Sequence, residues 1–270
     1  MQFQNKVVVV TGGGNGMGRE MVLQLLSRGA RVAAVDISEP ALQETVELAG
    51  EKKGMLSTHI VNITDRERVA ALPEEVLAVH GAVDGLINNA GIIQPFVRTI
   101  ELDFSQIERV MNVNFYGMLN MTMAFLPHLI KRPEAHIANV SSMGGFLPVP
   151  GQSIYGASKA AVKLLTEALH SELANTSVHV TVFFPGAIGT NIAANSGVSM
   201  DMSPEEEAEA ASRQTLAPAK AAEIMLDGIE KNSYRVLVGS DSKLMDFLYR
   251  LNPKGAANFI FKQMKDLLGE

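Results

Sequence analysis

Three residues have types and spacing suited to moving a proton on and off a bound oxygen: Ser142, Tyr155 and Lys159. Tyr155 and Lys159 stand four apart at the start of a helical pattern, so both side chains project from one face. Ser142 lies just past a strand pattern, at its carboxyl end, where open α/β sheets bind ligands. A phenol that titrates near 10 is a weak base at neutral pH. A neighbouring ammonium would favour phenolate and bring it toward the working range. Ser142 would hold the substrate oxygen against the phenol. Taken singly, each residue has an ordinary structural reading, so the weight rests on what accompanies them.

Two features do. The segment Thr11-Gly12-Gly13-Gly14-Asn15-Gly16-Met17-Gly18 closes a buried strand pattern and runs straight into a helix. Glycine permits the tight turn and lets the backbone approach a pyrophosphate, while the helix N-terminus offers free N–H groups and a positive dipole end. Contacts are expected from Gly12, Asn15, Gly16, Met17 and Gly18. Asp36 ends the second strand pattern, 18 residues after Gly18. A carboxylate there accepts hydrogen bonds from an adenosine ribose and repels a 2′-phosphate. Asn15 and Ile37 are uncharged, so NAD is favoured over NADP, with Arg19 and Arg31 as the basic residues nearby.

These residues need a frame. Short β-branched runs at 6–11, 31–36, 55–61, 83–89, 135–141, 178–184 and 234–238 read as seven strands. Helical patterns separate them, among them 16–27, 65–79, 104–125 and 153–174. Apolar runs without alternation, such as Val7-Val8-Val9-Val10, suit strands covered on both faces. The expected fold is a single-domain α/β chain over 1–270: a doubly wound, seven-stranded parallel sheet with helices on both faces. A polar stretch at 191–218, including Glu205-Glu206-Glu207, reads as a surface loop or a lid over the substrate. A helical extension is expected at 242–270.

Composition narrows the function. The 270 residues are 47% hydrophobic and 19% charged, enough for a large core. A formal charge of −6 without a dense Lys/Arg block argues against nucleic acid. With no cysteine there are no disulfides, thiolate metal sites or thiol nucleophile; no metal site is expected. The first strand begins within five residues and no apolar run reaches membrane-spanning length, so a cytoplasmic protein is expected.

With these motifs in place the sequence resembles the short-chain dehydrogenase/reductase family from residue 6 to about residue 190. Asn88-Asn89-Ala90-Gly91 matches a family segment that steadies the sheet and lines the adenosine side, which implies cofactor contacts at Asn89, Ala90 and Gly91. Asn114 matches the family's helix asparagine, implying a water-holding role in a proton relay to Lys159. The spacing of 13 from Ser142 to Tyr155 is the usual one. Pro185-Gly186-Ala187-Ile188-Gly189-Thr190 resembles the segment that binds the carboxamide of nicotinamide. There Ile188 would act through its backbone and Thr190 through its hydroxyl, with Pro185 and Gly186 shaping the turn. One position departs: Asn62, followed by Ile63, stands where an aspartate usually contacts adenine. Its side-chain carbonyl could still accept from the adenine amino group.

The reading is therefore an NAD-dependent oxidoreductase that interconverts a hydrophobic secondary alcohol and its ketone, with Tyr155 as acid/base. Phe146, Leu147, Val149, Ile192, Met200 and Met202 are candidates for the apolar pocket. An NADP-dependent carbonyl or 3-oxoacyl reductase is the alternative. A non-catalytic nucleotide sensor would be expected to lose the tyrosine or the lysine. The resemblance implies a homodimer or homotetramer. The C-terminal residues, rich in Phe, Leu and Ile with several basic residues, suit helices packed over the cleft or on a second subunit. Contact with a membrane surface is the less favoured reading.

Overall fold

The computed structural model describes residues 1–198 and 215–264. Seven strands, β1 (Val7–Thr11), β2 (Arg31–Asp36), β3 (Leu56–Ile60), β4 (Gly85–Asn88), β5 (Ala135–Val140), β6 (Val178–Pro185) and β7 (Arg235–Val238), form one sheet. Its order is β3-β2-β1-β4-β5-β6-β7 and every neighbouring pair is parallel. The chain starts in the middle, winds to one edge, then returns to β4 and winds to the other. The order reverses between β1 and β4, and the glycine-rich turn leaves β1 there, at the crevice where such sheets take ligands.

Helices cover both faces, as parallel strands buried on two sides require. One face is packed by α1 (Gly16–Ser27), α2 (Glu39–Leu48) and a later helix, Pro218–Glu230, through Met21, Leu25, Leu42, Met225 and Leu226. The other face is packed by α3 (Arg66–His80), α5 (Met118–Leu129) and α6 (Ser153–Glu172), through Leu72, Val76, Phe125 and Leu169. Every residue of β1 and β4 is buried, which fits their non-alternating sequences. The strands lie within a residue or two of the expected spans.

The expected helix over 104–125 is different. It divides into α4 (Phe104–Met111), a π-helical segment over Asn112–Gly117, and α5. A π turn inserts a residue without ending the helix and is often found at functional sites. Gly117 lies on it because a side chain there would press on Ile63, whose Cδ1 is 2.7 Å from where the Cβ would be.

After β6, α7 (Ile192–Asn195) is a single turn, and Pro218–Glu230 is α8. A parallel bridge joins Ile188 to Leu216, with Leu216 N–H donating to the Ala187 carbonyl at 2.9 Å. It ties together the two flanks of the loop expected at 191–218. Residues 199–214 of that loop, with Met200, Met202 and the three glutamates, lie outside the described residues. Beyond β7 come α9 (Ser240–Leu251) and α10 (Pro253–Met264), the described part of the C-terminal extension. No described helix is long and apolar enough to cross a membrane.

Candidate active site

The glycine-rich turn is shaped for backbone, not side chains. Gly12 and Gly16 have φ of +69° and +51°, left-handed values that favour glycine. A Cβ on Gly18 would collide with the Gly12 carbonyl oxygen. Asn15 caps α1, its Oδ1 accepting from Gly16 N–H at 2.7 Å, and Met17 packs partly buried on the core. Thr11, at the end of β1, joins this turn to the neighbouring segment. Its Oγ1 accepts from Asn89 N–H at 3.0 Å and Ala90 N–H at 3.1 Å, and Asn89 Nδ2 donates to its carbonyl. Thr190 faces Gly16 across the crevice, its Cγ2 3.4 Å from where a Gly16 Cβ would be.

The Asp36 carboxylate points back at this turn. Oδ2 accepts from Gly14 N–H and Oδ1 from Ser38 N–H, each at 3.0 Å. The two basic residues flagged in the sequence are elsewhere occupied or distant. Arg19 donates to the Gly14 carbonyl and pairs with Glu44 at 2.6 Å. Arg31 starts β2 while Asp36 ends it, roughly 16 Å apart at strand rise. Arg19 is thus close to Asp36 through Gly14, but its guanidinium is already held by the Gly14 carbonyl and Glu44. Asn62 is exposed, and its Oδ1 already accepts from Thr64 N–H and Thr64 Oγ1 at 3.1 and 2.9 Å. Ile63 is buried, and its carbonyl takes a bond from Asn120.

Ser142, Tyr155, Lys159 and Asn114 are brought together by β5, α6 and the π turn. Ser142 follows β5, and its Oγ accepts from Gly144 N–H at 3.1 Å. Its hydroxyl also hydrogen-bonds the Tyr155 phenol, which favours phenolate, but burial outweighs that bond and pushes the phenol above its ordinary value. Lys159 is buried, donates to the Val140 carbonyl at 2.9 Å and has its Nζ 5.9 Å from the centre of the Tyr155 ring. Burial lowers its pKa to about 8. Desolvation is the largest influence on both groups. Asn114 is clamped, with Oδ1 accepting from Ile92 N–H at 2.8 Å and Nδ2 donating to the Ile92 carbonyl and to Ser158 Oγ. Ser158 in turn donates to the Tyr155 carbonyl at 2.7 Å. Asn114 Oδ1 and Lys159 Nζ lie 3.2 and 3.1 Å from where a Gly91 Cβ would sit. A side chain at 91 would press on both groups.

Several residues that position the site escaped sequence reasoning. Gln94, fully buried on the loop after β4, holds the start of α6. Its Oε1 accepts from Ile154 N–H at 2.8 Å and Tyr155 N–H at 3.0 Å, and its Nε2 donates to the Gly151 carbonyl. Gln152 donates to the Gln94 carbonyl at 2.9 Å, and its own buried Oε1 has no partner among the described residues. Asp241, on α9, accepts from Ala187 N–H at 2.7 Å and fills the space beside Gly186, so the extension steadies the turn after Pro185. Local signals could not reveal these bonds, because each spans more than 50 positions.

The proposed apolar lining needs one correction. Leu147 is fully buried against Met245, Ala256 and Ile260, and Phe146 packs on Phe184 and Tyr249 with ring centroids 5.6 and 6.2 Å apart. Both support the wall under α9 and α10, and Leu147 has no surface left to offer a substrate. Val149 and Ile192 are partly buried.

Residues 6–217 match the family model for short chain dehydrogenase. The SadH protein of Mycobacterium tuberculosis is 38% identical over 253 residues, covering 92% of this chain and 91% of that one. Among solved structures, a short chain dehydrogenase/reductase from Burkholderia phymatum in complex with NAD superposes with a TM-score of 0.83 at 26% identity, covering 93% of this chain and 96% of that one. A short chain dehydrogenase from Burkholderia cenocepacia in complex with NADP gives 0.80 at 27%, covering 96% and 99%.

Proposed function

The chain belongs to the short-chain dehydrogenase/reductase family, oxidoreductases that act on CH–OH groups with a nicotinamide dinucleotide, and we propose that it interconverts a hydrophobic secondary alcohol and its ketone using NAD. The observation that carries this reading is the convergence of Ser142, Tyr155, Lys159 and Asn114 at the carboxyl edge of the sheet, beside a turn with glycine at 12 and 18, where a Cβ would clash. The preference for NAD over NADP is supported by the Asp36 carboxylate, with Arg31 at the far end of β2 and Arg19 engaged by the Gly14 carbonyl and Glu44.

The turn fits a dinucleotide. Its glycines leave room for a pyrophosphate, and α1 presents its N-terminus there. When bound, NAD supplies the hydride acceptor. Ser142 and Tyr155 hold the alcohol oxygen between them, and the ionised Tyr155 takes the hydroxyl proton. Lys159 is an ammonium below a pH of about 8, so its charge stands behind the phenol in the neutral range. In this reading it also holds the ribose hydroxyls of the nicotinamide half. Both Asn114 N–H donors are spent on Ile92 and Ser158, so the amide positions a proton path without carrying the proton.

Exposed Phe104, Tyr116, Met123 and Leu164, on α4, the π turn, α5 and α6, support a homodimer or homotetramer. Cytoplasmic location completes the reading.

A panel of secondary alcohols and ketones, followed by NADH absorbance, tests the activity. Tyr155→Phe should remove turnover while leaving NADH binding nearly intact; retained turnover would overturn the assignment. A paired NADH and NADPH titration separates it from an NADP-dependent carbonyl or 3-oxoacyl reductase.

A further inference from the structure

The hairpin of α9 and α10 has two apolar faces, and only one of them is covered among the described residues. The inner face packs Met245, Ala256 and Ile260 on Leu147, with Leu248 and Tyr249 alongside. Away from it, Leu244, Phe247 and Leu251 on α9, and Phe259 and Phe261 on either flank of the buried Ile260 on α10, are each between 42 and 68% exposed. Leu244, Phe247 and Leu251 recur at i, i+3 and i+7, which is one stripe along α9. Single exposed apolar residues are ordinary on a protein surface, but a three-residue stripe with two exposed phenylalanines on the helix that follows calls for a partner.

The charge around the patch indicates which partner. Residues 240–264 hold four cations, Lys243, Arg250, Lys254 and Lys262, and two acids, Asp241 and Asp246. The hairpin is therefore +2 on a chain whose total is −6. Both acids are drawn inward: Asp241 accepts from Ala187 N–H, and Asp246 is held by Arg235 and Arg250 at 3.2 and 2.8 Å. All four cations are exposed, and Lys243, Lys254 and Lys262 form no ion pair among the described residues. An aromatic and aliphatic stripe flanked by unpaired lysines is the pattern of a helix lying in the plane of a membrane interface. A second copy of this acidic chain offers less complementarity to it than an anionic lipid surface does.

We propose that the outer face of the α9–α10 hairpin seats on an anionic lipid surface, its Phe and Leu side chains at the headgroup boundary and its lysines on the phosphates. At twelve residues each, the helices lie along the surface without crossing it. The inner face keeps its packing on the segment that follows Ser142.

The test is co-sedimentation of the whole protein with vesicles of equal phosphatidylglycerol and phosphatidylcholine, against vesicles of phosphatidylcholine alone. The protein should pellet with the anionic vesicles and release as salt is raised. Phe247→Ser with Phe259→Ser, and separately Lys243→Glu with Lys254→Glu, should each lower the bound fraction at least fivefold. Neither pair touches the catalytic residues, so turnover of a water-soluble substrate should stay at the wild-type level. Failure of the wild type to pellet with anionic vesicles, or equal pelleting by the variants, overturns the proposal. Light scattering decides the competing occupant. If Phe247→Ser with Phe259→Ser splits a wild-type oligomer, the face is a subunit interface and the lipid assignment is wrong.

Discussion

Replacing Lys159 with methionine should stabilise the cofactor-free protein near neutral pH while removing its turnover. The lysine is 4% exposed and its ammonium has one hydrogen-bond partner among the described residues, the Val140 carbonyl at 2.9 Å. Burial lowers its pKa from 10.5 to about 8. That drop corresponds to a penalty of about 3 kcal/mol for keeping the charge in the folded state. Methionine removes the charge but also the charge-assisted bond to Val140, worth about 2 kcal/mol. The variant should therefore be more stable by about 1 kcal/mol at pH 7. The pH dependence has a definite sign. Below pH 8 the lysine is protonated in both folded and unfolded chains, and the penalty is fully present. Between pH 8 and 10.5 the folded chain gives up the proton that the unfolded chain keeps, so wild-type stability rises with pH. The variant has no such titration, and its advantage should shrink across that window. Urea denaturation of both proteins at pH 7, 8, 9 and 10, with the difference in stability taken at each, measures it. A wild type more stable than the variant at pH 7, or a difference that stays flat to pH 10, would refute the reasoning.

Three further outcomes follow from the geometry. Asp36→Ala should lower the preference for NADH over NADPH by about 10- to 100-fold, since it removes a like charge from the 2′-phosphate position; isothermal titration with both cofactors checks it. Gln94→Leu leaves the Ile154 and Tyr155 N–H groups without their acceptor and should cost about 2 kcal/mol of stability. Its kcat should fall at least tenfold with little change in NADH affinity, and Gln94→Glu, which keeps an acceptor, should recover part of that loss. Gly18→Ala forces a methyl group into the Gly12 carbonyl and should cost about 3 kcal/mol. NADH binding should disappear, and thermal melting would show whether the fold survives.

The sheet was legible because its central strands are buried on both faces, so their apolar runs and the helical periods between them appear directly in the residue order. The turn after β1 was legible for a related reason. A segment that must bring backbone against a ligand tolerates only glycine at certain positions, and that demand is written in residue type. The π turn was not legible, since it adds a residue to a helix without breaking the apolar rhythm; what marks it is Gly117 against Ile63 and Asn114 against Ile92. Nor could the two sides of the C-terminal helices be told apart. Their Phe and Leu residues look alike in sequence, yet Ile260 is buried and Phe247 is not.

By itself, then, the order of residues determined the αβα frame, the glycine cradle and the identity of the candidate proton-handling groups, because each depends on residue type at short range. Tertiary structure alone decided how those groups are held. Gln94 reaches α6, Asp241 reaches the turn after Pro185, and Arg19 is spent on Gly14 and Glu44, all through contacts between segments far apart in the chain. It also decided their ionisation, since desolvation of Tyr155 and Lys159 arises only when β5, α6 and the π turn close around them.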